Sequence, residues 1–169
     1  MSIKINKKFL EKTIELASES LKNKNYPCGS LIVDSKGTVI AEYGNKVFST
    51  PDATAHAEML CIRKGGKCLL DKDSKEKYTI YSSMEPCSGC AFFIARTNIK
   101  RIVYACGDRY RPGIKMLKAN PKFKKYFEKI ELVEEPSIKL RNKSAILMRD
   151  YMLAKGRSTD AAYFDPINF

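Results

Sequence analysis

The sequence predicts an α/β protein: a three-layer α/β/α sandwich with helices on both faces of a sheet. Three observations carry that prediction. Short β-favouring runs alternate with segments of helical periodicity along the chain, an order that places helices over a sheet. Glycine and proline punctuate the boundaries between those segments. The chain has 169 residues, of which 44% are apolar, and so fits a single domain over 1–169 with a sizeable core. No internal repeat, low-complexity tract or interdomain linker interrupts it.

Asn6 to Lys24 reads as the first helix, because Phe9, Leu10, Ile14, Ala17 and Leu21 recur at three- and four-residue steps. Pro27 and Gly29 close it. Ser30 to Asp34 carries Leu-Ile-Val, a buried-strand pattern. Ser35-Lys36-Gly37 supplies a turn and Thr38 to Tyr43 a second strand, so the two form a hairpin ended by Gly44-Asn45. Ser49 to Ala53 is a loop whose proline and aspartate suit a helix entrance. Ala55 to Lys64 is a helix stopped at Gly65-Gly66, Lys67 to Lys77 a polar connection, and Tyr78 to Ser82 a third strand of β-favouring residues. A helix then runs from Cys87 to about Thr97, with proline at its mouth. Arg101 to Ala105 is a fourth strand and Cys106 to Gly113 a charged, glycine-containing loop. Ile114 to Tyr126 gives short helical pieces, Lys129 to Val133 a fifth strand, and Lys139 to Ala154 the last helix. From about Gly156 the tail is polar and then aromatic. Its aromatics suggest docking on the body or on a partner subunit, with a disordered end as the alternative.

Thirty-one basic against nineteen acidic side chains give a net charge of +12. That surplus favours anionic partners, RNA included. The ordinary explanation, a solvated lysine-rich surface, stands beside it because the basic residues are dispersed. Met1 to Lys12 holds no long apolar run, so neither a signal peptide nor a membrane anchor is expected. With six cysteines in a chain of this length, the expected setting is a reducing cytoplasm with thiols free for a metal.

Two short stretches concentrate the chemistry. Met84-Glu85-Pro86-Cys87-Ser88-Gly89-Cys90 places two thiols three residues apart, on one side of a helix entrance. Thr54-Ala55-His56-Ala57-Glu58 contains the single histidine of the chain, two residues before a carboxylate. Cys-x-x-Cys alone suits redox chemistry or metal binding, but a redox reading leaves His56 and Glu58 unexplained. His-x-Glu followed by Pro-Cys-x-x-Cys is the signature of zinc-dependent nucleobase deaminases, and on these residues the chain resembles the cytidine-deaminase-like superfamily. Pro51 to Glu58, Ile62 to Gly66 and Ile99 to Tyr104 are similar to bacterial tRNA adenosine deaminases and guanine deaminases, a likeness running from Phe9 to about Asp108.

The resemblance implies a mixed five-stranded sheet flanked by helices, with the active site where the two motif helices begin, and a homodimer. It implies a zinc ion, Zn2+, held by His56, Cys87 and Cys90, with a fourth position open to water. Glu58 would move protons from that water to the ring and to the departing amine. Asn45, after the second strand, would contact the base, with Ala57 assigned to the substrate as well. A structural zinc site would need a fourth protein ligand, and Cys28, Cys61, Cys68 and Cys106 are the candidates. Cys61, five residues past His56, points about 140° away on a helix. An isolated Glu58 would read as a solvated helix carboxylate, and Asn45 as a turn residue.

Departures from the relatives bear on the substrate. Ser88-Gly89 stands where the tRNA enzymes commonly carry a methionine, and their glycine-and-acid pattern before the final helix is missing. Guanine deaminases differ around Gly107 to Pro112, where Tyr110 between two arginines suits base stacking with phosphate contact; a charged surface loop is the plainer reading. The sequence therefore points first to hydrolytic deamination of a free base or nucleoside, of purine type. A tRNA adenosine deaminase making inosine at the wobble position comes next, and a non-enzymatic, zinc-stabilised nucleic-acid-binding domain last.

Overall fold

Five strands form one sheet in the computed structural model, which describes residues 5–71 and 75–169. They are β1 (Gly29–Val33), β2 (Val39–Gly44), β3 (Tyr78–Met84), β4 (Ile99–Cys106) and β5 (Glu131–Glu134), in the spatial order β2-β1-β3-β4-β5. β1 runs antiparallel to both β2 and β3, whereas β3, β4 and β5 run parallel, so the sheet is mixed. The helices are α1 (Lys7–Lys22), α2 (Ala57–Leu70), α3 (Ser88–Ile94), α4 (Gly113–Ala119), α5 (Pro121–Lys124), α6 (Ile138–Ala154) and α7 (Ser158–Ala161).

Side chains alternate along the strands, and each parity feeds a different helical layer. Ile32, Ile80 and Ile102 pack with Cys61 and Leu69 of α2, Ala91 and Ile94 of α3, and Ile114 of α4. Their neighbours Leu31, Val33, Tyr81 and Val103 pack on the other face, against Leu10 and Ile14 of α1 and Leu140 of α6. The predicted three-layer sandwich is what these two clusters build.

The β1–β2 hairpin closes as its turn residues require: the Asp34 carboxylate accepts the N–H groups of Lys36 and Thr38, while Gly37 takes φ 85°. Asn6 caps α1 by accepting the Lys8 N–H at 3.1 Å.

Three features depart from the sequence expectation. α2 does not stop at Gly65-Gly66 but continues to Leu70. Gly66, at φ 43° and ψ −120°, kinks the backbone and lets it resume, because buried Leu69 anchors the second piece to the sheet. The predicted polar connection is therefore partly helix, and its residues 72–74 lie outside the described residues. α3 ends at Ile94, short of Thr97. α6 is not the last helix, since α7 and two 3₁₀ turns, Ala162–Phe164 and Pro166–Asn168, follow it. This tail packs on the body: Phe164, 2% exposed, joins Met84, Cys106, Met148, Tyr151 and Met152 in a third cluster beyond the strand ends. No helix among the described residues is long and apolar enough to cross a membrane.

Candidate active site

β3 and β4 deliver their chains to one end of the sheet, the carboxyl end of the parallel strands, where crevices form in open α/β sheets. Two helices begin near that end. His56 immediately precedes α2 with extended backbone (φ −66°, ψ 149°), and Cys87 precedes α3 in the same way (φ −61°, ψ 165°). Each stands in the capping position with its carbonyl already in the helix ladder, accepting from Leu60 and Ala91 respectively. Neither side chain caps its own helix, so both are free to turn outward. Cys90 is one turn into α3 and buried.

The three side chains converge. His56 Nδ1 lies 3.7 Å from Cys87 Sγ and 3.5 Å from Cys90 Sγ. All three ligand atoms fall within 4.8 Å of one another, and among the described residues no other set of histidine, cysteine and acidic side chains does so in threes. Zinc bonds of about 2.0–2.1 Å to nitrogen and 2.3 Å to sulfur, at tetrahedral angles, set nitrogen and sulfur about 3.6 Å apart. The trio therefore has the dimensions zinc requires.

Its electrostatics agree. Hydrogen bonds from Cys90 and from His56 bring the Cys87 thiol down to about 4, against the opposing effect of burial. The same Cys87 bond and burial push the Cys90 thiol up, and the bond to Cys87 raises His56. One thiol of the pair is thus lowered and the other raised, and a bound divalent cation would favour the thiolate of both. The remaining thiols stand apart. Cys61 donates to the Ser30 carbonyl at 3.3 Å beneath α2, Cys106 to the Gly107 carbonyl at 3.4 Å, and Cys68 is exposed. Cys28 is half-buried in the cavity wall, its thiol raised well above the usual range by burial.

Glu58 is no solvated carboxylate. It is 5% exposed and accepts the Ser82 hydroxyl at 3.2 Å from β3. Burial, reinforced by the Cys87 charge, raises its pKa. It shares a cavity of about 320 Å³ with His56 and Cys87. Asn45 reaches the same cavity from the end of β2. Its Oδ1 accepts the Val47 N–H at 3.0 Å and its backbone N–H donates to the Cys28 carbonyl. Ala57 is wholly buried, and its methyl is not part of the cavity wall.

Other walls escaped the sequence reading. Met148 and Met152 of α6, with Arg157 and Phe164 of the tail, close the outer side. Glu85 and Asp108 form an acidic edge and also line an adjoining cavity of about 830 Å³. Asp108 Oδ1 accepts the Tyr110 and Arg111 N–H groups at 2.9 and 2.7 Å, an aspartate turn that Asp-x-x-Arg could have signalled. Glu85 sits two residues before Cys87 and was legible as part of the motif, but its partners were not. Tyr110 lines the cavity, yet its ring packs on Tyr163 at 5.2 Å with Arg111 over it at 4.8 Å.

Residues 3–106 match the sequence profile described as the cytidine and deoxycytidylate deaminase zinc-binding region. The tRNA-specific adenosine deaminase of Haemophilus influenzae is 32% identical over 108 residues, 64% of this chain and 61% of that protein, so the match spans less than two thirds of the relative. A solved structure of a tRNA:A34 deaminase acting at the wobble position superposes with a TM-score of 0.70 at 24% identity, covering 84% of this chain and 99% of the other, a likeness of fold. The guanine deaminase of Bacillus subtilis superposes at 0.54 with 32% identity over 62% of this chain and 66% of its own.

Proposed function

We propose that this chain, which belongs to the cytidine and deoxycytidylate deaminase zinc-binding family, is a zinc-dependent hydrolase that releases ammonia from the exocyclic amino group of a free purine base or nucleoside. One observation carries the reading: a histidine–cysteine–cysteine trio of zinc dimensions presents His56 and Cys87 to the same small cavity as a buried carboxylate, with Cys90 buried behind them. His56, Cys87 and Cys90 would hold the ion. When bound, zinc supplies a Lewis acid that can bring the pKa of water to about 7.

The chain's own residues do the rest. Glu58 takes a proton from the attacking water and hands it to the ring nitrogen next to the amino-bearing carbon. It then takes the remaining proton from the newly added hydroxyl, as that oxygen becomes the carbonyl, and delivers it to the departing amine. Water's oxygen remains as the new carbonyl and nitrogen leaves as ammonia, so atoms and protons balance. A carboxyl raised by burial suits that alternation, because a proton shuttle works best with a pKa close to the working pH. Ser82 keeps the carboxylate aimed. Asn45 offers its amide to an acceptor on the base.

The cavity admits one base or nucleoside, and the tail packed across one side favours a free one over a nucleotide still held in an anticodon loop. At about 320 Å³ it stands near the lower end of ligand pockets, about 300–1,000 Å³, and the tail shuts one side. Its wall carries both signs of charge, Glu58, Glu85 and Asp108 with Arg111 and Arg157. The second reading, deamination of a wobble adenosine in tRNA, draws on the net charge of +12 and on the tRNA-specific relatives. A zinc-stabilised binding domain without activity gives the buried Glu58 nothing to do. A cytoplasmic homodimer remains the expected setting.

Ammonia release from a panel of free bases and nucleosides tests the proposal. Turnover of guanine or adenine, or of their nucleosides, supports it. Inosine formed only in a tRNA transcript, with steep salt dependence, replaces it with the second reading, and no turnover of any substrate ends both.

A further inference from the structure

The loop after β4 carries cavity-lining side chains, Asp108, Tyr110 and Arg111, but none of the metal ligands or Glu58. Its position relative to the metal therefore has to be set by something. The Glu85 carboxylate bridges the two. Its Oε2 accepts the Asp108 N–H at 3.2 Å and its Oε1 accepts the Ile114 N–H at 3.0 Å. Its own N–H donates to the Cys106 carbonyl at 2.8 Å, where β4 ends. Both ends of the loop thus hang on one side chain that lies two residues before Cys87.

A second contact sits beside it. At Gly113 a Cβ would stand only 2.5 Å from the Cys87 carbonyl carbon and the Pro86 oxygen. The loop is pressed directly on the backbone that presents the first cysteine, and only glycine permits that approach.

We propose that Glu85 is a positioning residue: its carboxylate clamps the loop from Asp108 to Ile114 onto the metal-ligand loop, so that the groups recognising the substrate are registered to the metal. Each carboxylate oxygen accepts one backbone N–H, which fixes Glu85 between the two loops. This inference rests on the cavity being the substrate site.

Glu85→Gln tests it, since glutamine keeps one acceptor and turns an amide N–H₂ toward the other backbone N–H. Three readouts are taken: zinc content, steady-state kinetics on the substrate found in the panel, and amide exchange followed residue by residue. The clamp predicts stoichiometric zinc, KM raised about tenfold or more with kcat within about threefold, and exchange at Asp108 or Ile114 faster by about tenfold, with β4 unchanged. Unchanged exchange at both amides overturns it, as does loss of zinc, or a lower kcat at constant KM. A lower melting temperature with wild-type KM also overturns it, because that marks a merely structural residue. Should Glu85→Gln not fold, Gly113→Ala, which pries the same loop away, is read by the same criteria. If the wild-type protein turns over no base, the proposed activity fails, while the exchange measurement still decides the clamp.

Discussion

The two halves of the cavity are built by different rules. Residues up to Cys106 supply the metal trio and Glu58 from strand ends and helix starts, positions fixed by backbone geometry and by burial in the sheet. Residues 107–169 supply the outer wall from a loop, one face of α6 and a tail of short turns. The first half can do one kind of chemistry. The second closes the cavity from outside, beside Tyr26, Asn45 and Met84 of the first. The family profile stops at Cys106, at the boundary between these halves.

Breaking the first half has the largest effect. Cys87→Ala removes one of the three proposed zinc ligands, so purified protein should lack stoichiometric zinc and release no measurable ammonia; metal analysis with an ammonia assay checks both. Glu58→Gln comes next. It should retain zinc and lose about 10²- to 10⁴-fold in kcat, the usual worth of a positioned acid–base group. Zinc loss in that variant would make Glu58 a structural residue.

Perturbing the second half acts through stability and access. Phe164→Ala empties a buried site among Met148, Tyr151 and Met152, costing about 3–5 kcal/mol. Calorimetry should show the fall in melting temperature, and kinetics should show KM rising more than kcat falls. Cys68→Ser marks the low end. The thiol is exposed and, among the described residues, outside every group that could hold a metal, so zinc content, kcat and stability should stay within about 0.5 kcal/mol or its equivalent.

That same division explains what could be read in advance. His56, Cys87, Cys90 and Glu58 stood out because together they match the deaminase signature, His-x-Glu followed by Pro-Cys-x-x-Cys, and the fold brings the trio together beside Glu58. The strands were legible because Leu31-Ile32-Val33 and Ile102-Val103 have no soluble alternative to burial. α2 was cut short at Gly65-Gly66 because a glycine pair ordinarily ends a helix, and only the tertiary anchor at Leu69 carries it onward. The partners of Glu85 and the burial of Phe164 were missed because they come from long-range contacts with no local periodicity. A carboxylate that binds two distant N–H groups looks, in sequence, like any surface glutamate.

X-ray absorption at the zinc edge of the purified protein reaches the central claim most directly. The account predicts one zinc per chain with two sulfurs at about 2.3 Å and two lighter atoms at about 2.0–2.1 Å, one of the latter from His56 and the other from outside the protein. A third sulfur in the shell, from Cys28 or any other cysteine, would contradict it, because a metal enclosed by four protein ligands has no place for the water this reaction consumes.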